Sequence, residues 1–180
     1  GVNVTTGNNN VLIGEVAGYR VSVGGNNTHV GTRAGYYASG SNNTFLGYQA
    51  GLGGTTSAPY SSGEKNVAVG YQALDAFTTG FDNVAVGYQA ASAVSTGGSN
   101  VSIGYIANQN LTTGVDNIAI GAYAGDAMTG TGYSVLIGSF AGSAINSTDA
   151  NGTVAIGYQA GDAITSGQVN TAVGYQALSA

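Results

Sequence analysis

One octapeptide recurs along the whole chain and restricts what the chain can fold into. Residues 66–73 and residues 83–90 both read Asn-Val-Ala-Val-Gly-Tyr-Gln-Ala. Its glycine recurs ten times, and six of the nine intervals are 17 residues, the others being 16, 23 and 19. A fixed period with occasional insertions is typical of a solenoid, in which each repeat forms one coil. The anchor glycines are Gly14, Gly31, Gly47, Gly70, Gly87, Gly104, Gly121, Gly138, Gly157 and Gly174.

The residues around each anchor glycine indicate a turn followed by a short strand. Val, Ile or Thr stands three residues before the glycine and Val, Ile or Leu one before it, and such residues suit a pleated strand. The sequence therefore predicts an all-β fold, a parallel β-roll or β-solenoid of about ten 17-residue coils, with residues 1–180 as a single repeat region. A second short apolar strand is expected about seven residues after each anchor glycine, with a short helical turn over 72–77 as the alternative.

The composition excludes several classes of protein. Charged residues make up 6% of the chain and the net charge is −5, so no basic patch for nucleic acid or anionic lipid is expected. Periodic placement of the 43% hydrophobic residues argues against disorder. No apolar run approaches the roughly 20 residues that span a bilayer. Because the chain lacks an initial Met and stops within a repeat, we interpret it as an internal fragment of a longer fibre, with insertions at 52–65 and 143–153.

The predicted strand is apolar on both faces. The residues three and one before each anchor glycine share one face, and the residue between them points to the other. That middle residue is also apolar in eight of ten copies, and a strand apolar on both faces is usually buried on both. We therefore expect the middle row to contact other chains, in a homo-oligomer of most simply three chains. This predicted oligomer face contains Ala68, Ala85, Ala119, Ala155 and Ala172.

The motif Asn-x-Val-Ala-Val-Gly resembles the head repeat of YadA-like trimeric autotransporter adhesins, and the continuation Gly-Tyr-Gln-Ala-Leu resembles repeats of bacteriophage and marine viral fibres. The resemblance covers nearly the whole chain. It implies a left-handed parallel β-roll, three chains assembled together, and a role as a surface fibre or adhesin. The coil differs from the adhesin repeat, which is nearer fourteen residues and usually has Ser or Ala in place of Tyr-Gln.

Side-chain chemistry gives little support for catalysis. The chain has a single His, His29, no Cys, and eight scattered acids, so we expect no enzyme activity, no metal site and no cofactor. The acids lack the dense Gly-Gly-x-Gly-x-Asp pattern of a calcium roll. A structural segment of an extracellular or virion fibre is the expected function. The alternatives are a subunit of a self-assembling, glycosylated filament, and a monomeric ice- or glycan-binding solenoid.

Several residue types recur at fixed positions of the coil and predict ladders along the solenoid. Asn66, Asn83, Asn100 and Asn117 are expected to bond turn backbone and the neighbouring coil. Tyr71, Tyr88 and Tyr105 are expected to stack or, if exposed, to hold sugars from a host surface. A Ser/Thr row eight residues after the anchor glycine suits either turns or ice binding. Sequons for N-glycosylation occur at Asn3, Asn26, Asn42, Asn100, Asn110, Asn146 and Asn151.

Overall fold

The computed structural model describes residues 6–21, 23–55 and 60–179. Ten three-residue strands lie side by side in one sheet, all parallel and in chain order. Each strand occupies the three positions before an anchor glycine. The strands are β1 (Val11–Ile13), β2 (Thr28–Val30), β3 (Thr44–Leu46), β4 (Val67–Val69), β5 (Val84–Val86), β6 (Val101–Ile103), β7 (Ile118–Ile120), β8 (Val135–Ile137), β9 (Val154–Ile156) and β10 (Thr171–Val173).

The pairing register confirms the parallel β-solenoid. Every strand pairs with the next at equivalent positions of the repeat, as in Ala68 with Ala85 and Val69 with Val86. Ten strands in chain order enclose about nine turns, so the expected ten coils are one turn too many. Inserted residues lengthen the connection between strands without shifting the register, as between β3 and β4.

The expected second strand does not form in the described part of the chain, and neither does a helical turn over 72–77. Gln72 and Leu74 have φ values of 51° and 52°, in the left-handed region, and their equivalents in the other coils do likewise. Because every second residue here is left-handed and the residue between is not, the chain forms turns rather than a strand or an α-helix. The apolar residue seven after the anchor glycine is nevertheless buried, as in Phe77, Val94 and Leu111. Beyond it the coils remain bonded, with Thr78 N donating to Ser95 O at 2.8 Å.

The interior of each coil is filled by the middle residue of the strand, which reverses the predicted orientation. Ala68, Ala85, Ala119, Ala155 and Ala172 are between 0% and 2% exposed in a single chain and belong to its own core. The prediction that they form the oligomer face is therefore wrong. They share this core with the alanines three residues after the anchor glycines, such as Ala73 and Ala90.

Two positions of the coil share the interior volume. Where the middle strand residue is large, glycine stands six residues later, as in Leu12 with Gly18 and Phe45 with Gly51. A Cβ added at Gly51 would lie 2.5 Å from the Phe45 ring. Where the strand residue is Ala68, the later position holds the buried Leu74. In these coils, bulk is exchanged between the two positions while the interior stays filled.

Glycine is required at the anchor position because of its backbone conformation and because the next coil lies close to it. Gly87 has a φ of 138°, and a Cβ there would lie 2.2 Å from the carbonyl oxygen of Gly104 in the next coil. Nine of the ten anchors approach the next anchor backbone in this way, so any side chain would separate the coils.

Both predicted insertions leave the stack of coils continuous. At 52–65, where residues 56–59 lie outside the described part, Ala38 and Ser61 form an isolated parallel bridge. At 143–153, the chain forms a 3₁₀ turn at Thr148–Ala150.

Candidate functional site

The outward side of the ten-stranded sheet is an uncharged, predominantly apolar surface, which we call the outer face. It consists of the first and third residues of every strand, and all are Val, Ile or Leu except Thr28, Thr44 and Thr171. These side chains are half-buried or exposed: Ile103 is 37% exposed in the middle of the sheet and Ile13 is 59% exposed in the first coil. Sequence reasoning identified this row as apolar but placed it in the core.

The outer face is large for a surface of one chain. Ten strands at about 4.8 Å separation span roughly 43 Å, and alternate residues of a strand are about 6.7 Å apart. Including side-chain width, the face measures on the order of 600–800 Å². The largest apolar patch on a typical monomer is about 300–600 Å², whereas a standard interface contributes about 800 Å² per partner. The size of the outer face is therefore that of a protein interface.

A column of tyrosines extends the outer face beyond the strand. Tyr48, Tyr71, Tyr88 and Tyr105 stack with ring centroids 5.1–5.3 Å apart and rings within 15° of parallel. Each is 43–45% exposed. Because neighbouring rings cover one another's faces, they present mainly their edges to solvent. The column ends after Tyr105, where Ala122 takes the equivalent position.

Glutamines beside these tyrosines form a second ladder. Gln72 Nε2 donates to Gln49 Oε1 at 2.8 Å, and Gln89 Nε2 donates to Gln72 Oε1 at 3.0 Å. The same bond joins Gln176 to Gln159. These amides satisfy one another between coils, which favours a structural role for the Tyr-Gln pair.

The predicted asparagine ladder lies inside the coil corner. Asn66, Asn83, Asn100 and Asn117 are at most 1% exposed. Asn100 Nδ2 donates to Asn83 Oδ1 at 3.0 Å and to Gly114 O at 2.8 Å, while Asn100 Oδ1 accepts from Asn117 N at 3.1 Å. Each amide thereby joins three consecutive coils and satisfies buried backbone groups that the short strands leave unpaired.

The Ser/Thr row is also engaged with backbone where its bonds are described. Thr78 Oγ1 donates to Ser95 O at 3.0 Å, and Thr112 Oγ1 donates to Thr129 O at 3.0 Å. These hydroxyls act as turn groups between coils, which favours the turn explanation over ice binding.

The candidate glycosylation sites differ in accessibility. Asn26, Asn42, Asn110 and Asn146 are exposed, and Asn151 is half-buried with its Oδ1 accepting from Gly132 N. Asn100 is fully buried in the asparagine ladder, so a glycan there is incompatible with the folded coil. Asn3 lies outside the described residues.

The single histidine of the chain lies in the interior of the second coil. His29 is buried and stacked on Phe45 with ring centroids 4.8 Å apart, and neither ring nitrogen has a hydrogen-bond partner. Burial lowers the pKa of His29 to about 4, so the ring is neutral at pH 7. Within the described ranges, no group of three or more His, Cys, Asp or Glu side chains could hold a metal ion.

Four tyrosines and two arginines form a further cluster in the first three coils, which sequence reasoning did not identify. Arg33, Tyr36, Tyr37 and Leu52 line a groove of about 240 Å³. Beside it, the Arg20 guanidinium lies over the rings of Tyr19 and Tyr60. The signal was present in the sequence, because the positions of Tyr19, Tyr36 and Tyr37 hold mostly Ser, Ala or Asp in later coils.

Comparison with known proteins finds no match: no protein-family model, curated protein or solved structure is similar to this chain. The resemblance to YadA-like head repeats therefore stays a prediction. None of the described residues forms a helix long and apolar enough to cross a membrane.

Proposed function

We propose that this chain is a structural, non-enzymatic segment of an extracellular or virion surface fibre, in which copies of the chain assemble through their outer faces. The observation that carries the proposal is the exposure of an uncharged Val/Ile face along the full length of the solenoid. Water contact with such a face is unfavourable by about 25 cal/mol per Å² of apolar surface, so there is a strong drive to cover it.

A second copy is the partner that fits the outer face best. The face repeats at one strand spacing over ten strands, so two copies match each other along their whole length. The strands contribute no charge to it that would call for a complementary partner. Assembly about a common axis gives closed symmetry, and three chains would agree with the head-repeat resemblance. The work of such a segment is mechanical: it forms a stiff rod that holds other parts of a fibre at a distance.

The test is the oligomeric state of the 180-residue chain and of face variants, measured by light scattering with size-exclusion chromatography. The wild-type chain is expected at three times the chain mass. Val69→Glu/Val86→Glu places two carboxylates in the centre of the outer face and should yield single chains that remain folded by circular dichroism.

Thr96→Glu is the matched control, because Thr96 is an exposed turn residue outside the outer face. This variant should assemble like the wild type. A monomeric wild-type chain at micromolar concentration would contradict the fibre proposal and favour a solitary binding solenoid. Unchanged assembly of the Val69→Glu/Val86→Glu chain would show that the outer face is not the interface. Growth into end-to-end filaments would favour the self-assembling alternative.

A further inference from the structure

The aromatic and basic cluster in the first three coils is contiguous. Tyr19 stacks on Tyr36 with centroids 4.9 Å apart, Tyr36 meets Tyr37 edge-on at 4.5 Å, and Tyr37 stacks on Tyr60 at 6.2 Å. The Arg20 guanidinium carbon lies 4.8 Å from the Tyr19 centroid and 5.4 Å from that of Tyr60. Four tyrosine rings thus form one continuous wall with a cation held between two of them.

The fold does not require these side chains. The position of Arg33 is Gln in five other coils. The position of Arg20 and Tyr37 is Ala in five other described coils, on the same repeating backbone. The position of Tyr36 holds Ser92 and Ser143 in later coils. Since small or neutral residues suffice elsewhere, the stability of the coil does not explain a concentration of Arg and Tyr here.

The charge of the cluster is unusual for this chain. The whole sequence has three basic residues against eight acids, and two of the three, Arg20 and Arg33, lie in this cluster. The Arg20 Nε is buried without a hydrogen-bond partner, and a buried donor left unpaired is unfavourable. Arg33 is exposed at the groove, with its fork of donors available to a carboxylate.

The groove offers both an apolar and a charged surface. Tyr36, Tyr37 and Leu52 provide ring and aliphatic walls, and the tyrosine hydroxyls provide polar tips. A volume of about 240 Å³ is below that of sites for drug-sized ligands, so the groove suits a ligand the size of a single sugar unit.

We propose that this groove binds a carboxylated sugar unit of an acidic glycan, with the carboxylate on Arg33 and the sugar ring against Tyr36 and Tyr37. Arg20 holds Tyr60 and Tyr19 in place and adds positive potential at the anionic end of the ligand. The inference does not depend on the fibre role, because all of these residues belong to one chain. The groove is separate from the tyrosine column of the outer face and shares no residue with it.

The experiment is an NMR titration of the 180-residue chain, carrying isotope-labelled tyrosine, with D-glucuronate. Saturable shifts of a few tyrosine signals are expected at millimolar ligand. D-Glucose tests the need for the carboxylate and should bind at least about tenfold more weakly, the effect of losing one charge-assisted hydrogen bond. Acetate tests the need for the sugar ring and should give no saturable shift of the same signals.

Variants that restore the common residue of the repeat keep the fold and test the site. Arg33→Gln and Tyr37→Ala are each expected to weaken glucuronate binding at least about tenfold, with the thermal unfolding midpoint unchanged. Lys65→Gln removes the same charge away from the groove and should leave binding unchanged. Equal affinity for glucuronate and glucose, equal shifts with acetate, or full binding by both Arg33→Gln and Tyr37→Ala would each overturn the proposal.

Discussion

At the scale of single residues, the anchor glycine has two separable roles. Gly87 and Gly174 both have φ values near 130°, but only Gly87 faces a neighbouring coil, since nothing lies within 4 Å of a Cβ placed at Gly174. Gly87→Ala should lower the free energy of unfolding by more than the roughly 1–3 kcal/mol of backbone strain, because the clash adds to it.

Gly174→Ala is the matched control for Gly87→Ala, with the strain but without the clash. Urea unfolding followed by circular dichroism measures both. Equal losses of unfolding free energy in the two variants would show that the close approach between coils does not add to the cost of the substitution.

His29 should make the stability of the chain depend on pH. Its pKa is about 4 when folded and 6.5 in its ordinary state, so only the unfolded chain takes up the proton between those values. The contribution of His29 to the free energy of unfolding is therefore fully present above pH 6.5. It is lost as the pH is lowered toward 4, and the total loss is about 3 kcal/mol. Asp75 acts with the opposite sign, because burial raises its pKa to about 6 and acidification then favours the folded chain.

His29→Leu isolates the histidine contribution, because Asp75 is retained in both chains and cancels in the difference. Leucine fits the position, as Leu12 and Leu136 occupy it in other coils, and Gly35 leaves room for it. Unfolding curves at pH 7 and pH 4.5 should show a smaller loss for His29→Leu than for the wild type. An identical pH dependence would contradict the assignment.

At the scale of the coil, the asparagine ladder supports the corner that three-residue strands cannot. Asn100→Ala leaves Gly114 O and Asn117 N without their side-chain partner in a buried place, and should cost about 3 kcal/mol of unfolding free energy. Asn110→Ala is the comparison: its Nδ2 donates to Asp126 O at 2.8 Å, but it is exposed, so water replaces the bond. Chemical denaturation measures the free energy of unfolding of both variants. Equal losses of unfolding free energy would argue against a stabilising role of the asparagine ladder.

The shared interior volume of the coil predicts a compensating pair of substitutions. Ala68→Leu overfills the coil and should cost about 1–3 kcal/mol, and Leu74→Gly leaves a cavity. Together they reproduce the pairing of Leu12 with Gly18, so Ala68→Leu/Leu74→Gly should be more stable than the sum of the single effects. A double-mutant cycle from urea unfolding measures this coupling, and additive losses would refute it.

At the scale of the whole molecule, the period of the sequence was enough to predict the parallel solenoid and to locate every described strand, because the strand residues and the anchor glycine recur in fixed order. Which side of the sheet faces inward was not predictable from alternation, since both sides are apolar. Size was the informative property: the middle position of the strand holds Ala in five of ten strands, whereas the outer face holds Val, Ile, Leu and Thr.

The turns and the groove escaped prediction for different reasons. The left-handed conformation of Gln72 and Leu74 is not indicated by residue type, since both are uncommon there. The cluster around Arg33 combines side chains from Tyr19 to Tyr60, which only the stacking of coils brings together.

The hydrogen bonds between coils run along the long direction of the solenoid, from the three-residue strands and from the turns that follow them. A pull on the two ends would therefore load the coil junctions one after another in series, and the weakest junction would open first. Resistance to stretching is set by the weakest coil junction, however many coils are added. A tether built from one such chain would lengthen in steps of about one coil, whereas other chains bound alongside would carry the load past an opened junction.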